Sequence, residues 1–248
     1  MKKLAFILAM TTATFSLQAQ TNQTYTQTFD SLFSNVPYST VGTGILYDRV
    51  ANFSDIELFN LQTTDTSSYS RFIQAYSELN RAVTSPSINQ HFLLKIDSLE
   101  EMLKNISYIP IGIINANYDI IDTNALHSGK LYESGGLFYV NNAINGDLFV
   151  QEYALLAAPL LEQADSVVQF GLNNLFIFEN HSNTISSISI DFDDGNGLNS
   201  YAIGNTNIIV QYATDGLKII TIQIHLSDGS IVTTYARLKV IISKTPKI

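Results

Sequence analysis

The chain has 248 residues, no cysteine, and a formal net charge of −9 from 13 Lys+Arg against 22 Asp+Glu. Without cysteine there can be no disulfide, thiolate catalysis, zinc–thiolate site or lipid anchor through an N-terminal cysteine. The acidic balance disfavours nucleic acid and anionic membrane as partners, because few cations are available to neutralise phosphate.

The length accommodates one or two domains, each able to close its own core. Met1 to Ala19 carries Lys2-Lys3, an apolar run from Leu4 to Met10, and Leu17-Gln18-Ala19 ahead of Gln20. This is the form of a secretory signal peptide, an amphipathic N-terminal helix being the other reading. The run is too short to span a bilayer. No membrane insertion is therefore expected, and the mature chain is expected in the periplasm or outside the cell.

Gln20 to Gln27 reads as loose polar chain. Phe29, Leu32, Phe33 and Val36 then fall at i, i+3, i+4 and i+7, which predicts two helical turns ended by Pro37. Gly42 and Gly44 suggest tight or close-packed backbone. They lack the G-x-x-x-x-G-K-[ST] pattern of a phosphate loop. Asp65 to Ser68 offers helix caps ahead of an apolar stripe of Tyr69, Phe72, Ile73, Tyr76, Leu79 and Val83. Ser85 and Pro86 suit the start of a second helix, with Ile88, Phe92, Ile96, Leu99 and Leu103 inside, until Asn105. The short Thr84-Ser85 link predicts an antiparallel helical hairpin.

After Asn105 the period becomes two. Ile109 to Ile120 reads as a strand with a bulge near Asn115, and Leu137 to Val140, Leu148 to Val150 and Tyr153 to Ala158 as further strands. Gly135-Gly136 and Asn145-Gly146 supply turns. From Val167 onward the chain is uniformly strand and turn, so a boundary is expected within Pro159 to Asp165. The expected organisation is a signal peptide at 1–19, an α+β module of helical hairpin plus strands at 20–162, an all-β unit at 163–243, and a tail or linker at 244–248.

Within the last unit, Ile188, Ile190 and Phe192 alternate with Ser187, Ser189 and Asp191 until Asp194-Gly195 breaks the run. Ile220, Ile222, Ile224 and Leu226 share one face of a hairpin that turns at Ser227-Asp228-Gly229 and returns through Val232, Ala236, Leu238, Val240 and Ile242. Asp191-Phe192-Asp193-Asp194-Gly195, Val210-Gln211-Tyr212 and Gly216-Leu217-Lys218-Ile219 stand where the polycystic-kidney-disease-type (PKD) domain has W-D-F-G-D-G, H-x-Y and G-x-Y-x-V. The stretch from Gln163 to Ser243 resembles that family. Ile190 stands for its Trp, Asp193 for its Gly and Val210 for its His. The resemblance implies an immunoglobulin-like β-sandwich of an exported bacterial protein, serving as spacer or interaction module. In such a sandwich Tyr212 would reach back to backbone as a tyrosine corner, and Gly195 and Gly216 would relieve positive-φ turns.

No convergent catalytic set emerges, and no catalytic, cofactor or metal residue is assigned. Asp191, Asp193, Asp194 and Asn196 cluster oxygens, but lack the spacing of a calcium loop and suit turn formation better. His91, His127, His181 and His225 lie far apart, without metal-ligand spacing. Ser128 and Ser134 sit near glycines but outside G-x-S-x-G. Glu100, Glu101 and Glu133 could be imagined as glycosidase carboxylates, yet Glu100 and Glu101 fall on a helix's solvent side. Tyr108, Tyr118, Tyr132, Tyr139, Tyr153 and Tyr201 could stack on sugars, or pair with one another across strands. Asp30-Ser31-Leu32, Asp97-Ser98-Leu99 and Asp165-Ser166-Val167 resemble a short bacterial O-glycosylation signal, although Ser98 falls in a predicted packed helix.

The sequence thus points to a secreted, non-catalytic protein of the cell envelope, with a surface glycan or extracellular protein as partner. The alternative is the accessory N-terminal region of an extracellular hydrolase whose catalytic part lies outside this chain.

Overall fold

The computed structural model describes residues 24–60 and 65–242. The segment read as a leader and the tail at 244–248 lie outside the described residues. The first strands in chain order are β1 (Thr66–Ser67), β2 (Ile109–Ile121), β3 (Leu131–Ser134), β4 (Leu137–Val140), β5 (Phe149–Pro159) and β6 (Gln163–Ala164). They are followed by β7 (Val167–Gly171), β8 (Ile177–Glu179), β9 (Ile185–Asp191), β10 (Asn199–Tyr201), β11 (Ile208–Gln211), β12 (Gly216–Leu226) and β13 (Ile231–Val240). The helices are α1 (Tyr25–Leu32), α2 (Tyr69–Ala82), α3 (Ile96–Lys104) and the single turn α4 (Ala125–Ser128).

Two sheets form an open sandwich. One has five strands, ordered β11-β7-β2-β5 with β8 also on β2. The other has six, ordered β1-β13-β12-β9-β10 with β6 also on β13. The β3–β4 hairpin stands apart, its tight turn formed by Gly135 and Gly136, both at positive φ. Sheet pairing crosses the change of periodicity at Pro159–Asp165: β2 and β5 lie before it, and β7, β8 and β11 after it, in one sheet. The larger of two buried cores likewise runs from Ile45 to Val240.

β2 and β5 pair without interruption from Ile111–Pro159 to Ile121–Phe149. The bulge expected at Asn115 therefore does not form, and the two strands expected between Leu148 and Ala158 are one. Asn115 stays in register because its buried amide is satisfied there: Tyr153 donates to its Oδ1 at 2.9 Å, and its Nδ2 donates to the Asn183 carbonyl at 3.1 Å. A buried polar group with partners has no reason to leave the ladder.

α1 begins earlier than its apolar spacing predicts, since Thr24 caps it and Gln27 closes a capping box, bringing Tyr25 to Gln27 into the helix. Its Phe29 and Phe33 rings stack at 4.1 Å, and Phe33 on Phe138 at 4.6 Å, forming a second, smaller core under the β3–β4 hairpin. α2 starts at its Ser68 cap, and Phe72, Tyr76 and Leu79 are fully buried.

The second half of the expected helical hairpin is only partly a helix. α3 begins at Ile96, and Ile88, placed on its inner face by periodicity, is 54% exposed. The chain before Ile96 bonds to α2 instead. Asn80 donates to the Phe92 carbonyl at 2.5 Å and Tyr76 to the Leu94 carbonyl at 2.8 Å, which takes up oxygens that a helical ladder would need. Gly44, at φ 71°, lies under this segment, and a Cβ there would come within 3.1 Å of the Ser85 carbonyl, so the close-packed backbone expected at this glycine is present.

Side chains alternate across β2, so Gly112 and Ile114 face α2 while Ile111 and Ile113 face the other way. Phe178 of β8, paired with Ile114, meets Tyr76 at 4.4 Å and Phe92 at 6.1 Å. Gly112 admits the Phe72 ring: a Cβ there would stand 2.6 Å from Phe72 Cζ and 2.7 Å from Leu160 Cδ2. Gly112→Ala is expected to cost about 1–3 kcal/mol by overpacking, read as a lower urea midpoint with unchanged slope; a wild-type midpoint would contradict this packing.

Arg49 ties α1 to the rest of the chain, with Nε and Nη2 each donating to Asp30 at 2.8 Å and Nη1 to the Val83 carbonyl at 2.8 Å. These bonds hold the Asp30 carboxyl below its ordinary range, against the opposing effect of burial. A carboxylate with a lowered native pKa contributes stability that is complete above its unfolded pKa and vanishes as pH falls through the native one. Asp30→Asn should therefore lower the thermal midpoint at pH 7, with the difference from wild type shrinking as pH drops below about 4; a pH-independent difference would refute the pairing.

Candidate functional site

The segment between Tyr47 and Phe59 is held by one buried carboxylate. Glu78 of α2 accepts the backbone N–H groups of Phe53 at 2.9 Å and Ser54 at 3.0 Å through Oε1, and the hydroxyls of Tyr47 and Ser54 through Oε2. A carboxylate taken from water is tolerable only with such a full set of donors. The clamp fixes the loop, and with it the Phe53 ring, which points into solvent at 72% exposure.

Phe53 stands on the rim of a groove of about 940 Å3. Tyr25 of α1 and the Val50–Phe53 loop form one side; Tyr69, Ile73 and Ser77 of α2 form the floor, with Glu100 of α3 opposite. The α2 stripe thus serves two purposes: Phe72, Tyr76 and Leu79 fill the core, while the half-buried Tyr69 and Ile73 line the groove. Burial first, then Glu100 and Glu162, raise the Tyr69 phenol above its ordinary pKa, so it is neutral at physiological pH.

A second cavity, of about 380 Å3, lies across the Glu78–Tyr47 bond, at the end of β2. Tyr118 and Glu152 are directly opposed in the β2–β5 ladder, followed by Ile120 and Val150, so all four share a face. The Tyr47 ring lies 4.9 Å from that of Tyr118. Asp48, which accepts the Ile121 N–H at 2.6 Å, and Glu57, which accepts from Asn52 at 2.9 Å, add to an acidic wall.

The residues singled out from the sequence are dispersed. Asp191 accepts the Asp193 N–H at 2.9 Å, Asp193 the Ile219 N–H at 3.1 Å, and Asp194 both the backbone and side-chain N–H of Asn196, at 3.1 and 2.7 Å. Their oxygens thus fold the turn. Among the described residues no group of three or more His, Cys, Asp or Glu side chains converges to hold a metal ion. His91 and His127 are exposed; His181 meets the edge of Tyr153 at 4.8 Å, and His225 faces Ser189. Ser128 and Ser134 are exposed. Glu101 pairs loosely with Lys104, and Glu133 closes its own hairpin by accepting the Gly136 N–H at 2.6 Å. Glu100 lines the groove at Phe53, and Asp194 and Asn196 line a cavity of about 440 Å3 at their own turn. Ser98 is exposed on α3, not packed as expected, and Ser31 is exposed as well.

The tyrosines divide. Tyr132 and Tyr139 are a direct cross-strand pair with rings 5.6 Å apart, Tyr201 meets the Phe192 ring at 5.9 Å, and Tyr108 accepts from Asn173 at 2.8 Å. Tyr118 lines the cavity at the end of β2, together with Glu152 and Asp122, which sequence reasoning did not single out, and Tyr201 lines the polar cavity of about 440 Å3 beside the Asp194–Gly197 turn. Phe53 and Tyr25 were missed too. No local signal could have shown them, since the groove at Phe53 and the cavity at the end of β2 each gather residues from distant segments. Comparison with protein-family models and with curated proteins found no match.

Glu78→Ala would leave buried hydroxyl and backbone donors without an acceptor. A loss of more than about 3 kcal/mol is expected in chemical denaturation, with faster chymotryptic cleavage after Phe53 under native conditions. Wild-type stability and cleavage would overturn the clamp.

Proposed function

We propose that this chain is an exported, non-catalytic glycan-binding protein, in which a PKD-like, immunoglobulin-type sandwich is the scaffold and the groove beneath Phe53 is the contact surface. Export rests on the Met1–Ala19 signature. Three details support the family reading beyond the turn motifs. Asp193, at the family's glycine position, has φ 59°, the conformation a glycine would favour there. Gly195 and Gly216 both have positive φ. Tyr212 is buried and donates to the Phe192 carbonyl at 3.1 Å, as a tyrosine corner reaches back to backbone.

The observation that carries the binding function is the Phe53 ring, apolar and solvent-facing on a loop locked by Glu78. A large side chain left exposed on a rigid backbone gains from covering, and loses little entropy when covered. Beside it, Tyr25 and Tyr69 offer further aromatic surface, and Gln74, Ser77 and Arg81 offer amide, hydroxyl and guanidinium groups. Flat aromatic faces with a few polar side chains between them suit sugar rings.

Phe53→Ala tests this with little risk to folding, since the ring is exposed. On a glycan array and in titration with the glycan retained by wild type, the variant should bind about tenfold or more weakly with an unchanged thermal midpoint. Equal retention by both, or no glycan retained by wild type while an extracellular protein is captured through the same ring, would overturn the glycan reading.

A further inference from the structure

The groove at Phe53 is not electrically uniform along its length. Tyr69, Ile73, Ser77 and Arg81 recur at every fourth position of α2, so one row of the helix surface forms the floor from the first turn to the last. At about 1.5 Å per residue, Tyr69 and Arg81 stand about 18 Å apart along the helix axis. Glu100 lies at the Tyr69 end, where its charge acts on the Tyr69 phenol. The Phe53 loop lies toward the other end, because Glu78, which holds it, is one turn before Arg81.

Among the described residues that line the groove, Arg81 is the one Lys, Arg or His. It is exposed and makes neither hydrogen bond nor ion pair, whereas Arg49 and Arg71 are each paired with an aspartate. Glu78, three residues before it on the same helix face, is the partner that helical spacing would supply. That carboxylate is already occupied by the Tyr47 and Ser54 hydroxyls and by the Phe53 and Ser54 N–H groups. The end of α2 does not need the guanidinium either: the Ala82 carbonyl accepts the Leu46 N–H at 3.0 Å, and the Val83 carbonyl accepts from Arg49 at 2.8 Å. Arg81 therefore keeps its planar fork of N–H donors for an acceptor from outside the protein.

Resting on the glycan reading of the groove, we propose that its ligand is an acidic glycan, with an anionic group bound by paired N–H donors of Arg81 and the sugar ring that carries it stacked on Phe53. The anion is a carboxylate, as in a uronic acid, or a sulfate ester; both offer two oxygens to the fork. Glu100 repels a second anion at the far end, so the acidic unit lies at Arg81 and a neutral unit over Tyr69.

The test applies the whole chain to an array of neutral, uronate-bearing and sulfate-ester-bearing glycans. Calorimetric titration follows, with the best-retained glycan and with the same glycan after carboxyl reduction or desulfation. Retention of uronates identifies a carboxylate as the anion, and retention of sulfated glycans a sulfate ester. The anionic form should bind about tenfold or more tightly than its neutralised counterpart. Arg81→Gln should abolish that difference at an unchanged thermal midpoint, since the side chain makes no bond within the described residues. Arg81→Lys, which keeps the charge but not the fork, should retain part of it. A neutral glycan as the best-retained one, equal binding of the charged and neutralised forms, or a wild-type preference in Arg81→Gln overturns the acidic ligand. In those cases the glycan reading itself stands if Phe53→Ala still weakens binding. Retention of no glycan overturns both.

Discussion

Both edges of β2 are occupied along its length, and the rest of the chain is arranged by that requirement. One edge is taken by β5 alone. The other is assembled from separate pieces: β7 at Ile109–Pro110, β8 at Ile113–Asn115, the side chain of Asn180 at Asn117, and the Ile45–Asp48 segment at Asp119–Ile121. Asn180 imitates a strand, accepting from the Asn117 N–H at 2.8 Å and donating to its carbonyl at 2.9 Å. A central strand this deeply buried leaves no water for its backbone, so each N–H and C=O on that edge needs a protein partner. That need draws the first and second halves of the chain into one sheet.

Buried polar side chains do the remaining fastening. Asp119 accepts both the N–H and the hydroxyl of Thr43, at 2.8 and 2.7 Å, pinning the glycine-flanked segment to the end of β2. Glu78 does the same for the Phe53–Ser54 loop, and Asn115 for the chain around Asn183. Irregular segments have no ladder of their own. Carboxylates and amides that accept or donate two or more bonds substitute for one and hold these loops in place. A ligand-contact surface built on such loops needs little ordering when it binds.

The two cavities follow from these attachments. Clamping the Tyr47–Phe59 segment over α2 leaves a groove on one side, and docking it on the end of β2 leaves the acidic cavity on the other. The glycine- and aspartate-rich turn of the sandwich, by contrast, uses its oxygens internally.

Local pattern was enough for the elements whose stability is local. The strands of the β12–β13 hairpin, the turn at Gly135-Gly136, the Ser68 cap and the core face of α2 were all legible, because period, caps and turn residues act over a few positions. Where a residue's partner is distant, the pattern misled or was silent. Ile88 and Phe92 follow helical spacing, but Tyr76 and Asn80 take the carbonyls their helix would have used. Asn115 looked like a bulge, and its partners Tyr153 and Asn183 hold it in register. Nothing near Tyr118 in sequence distinguishes it from the paired tyrosines. The sequence alone determined a β-rich chain, its turns and its acidic character; which strands share a sheet, and which side chains meet in a cavity, were decided by tertiary structure, since a buried strand edge and a buried carboxylate take whichever distant partners satisfy them.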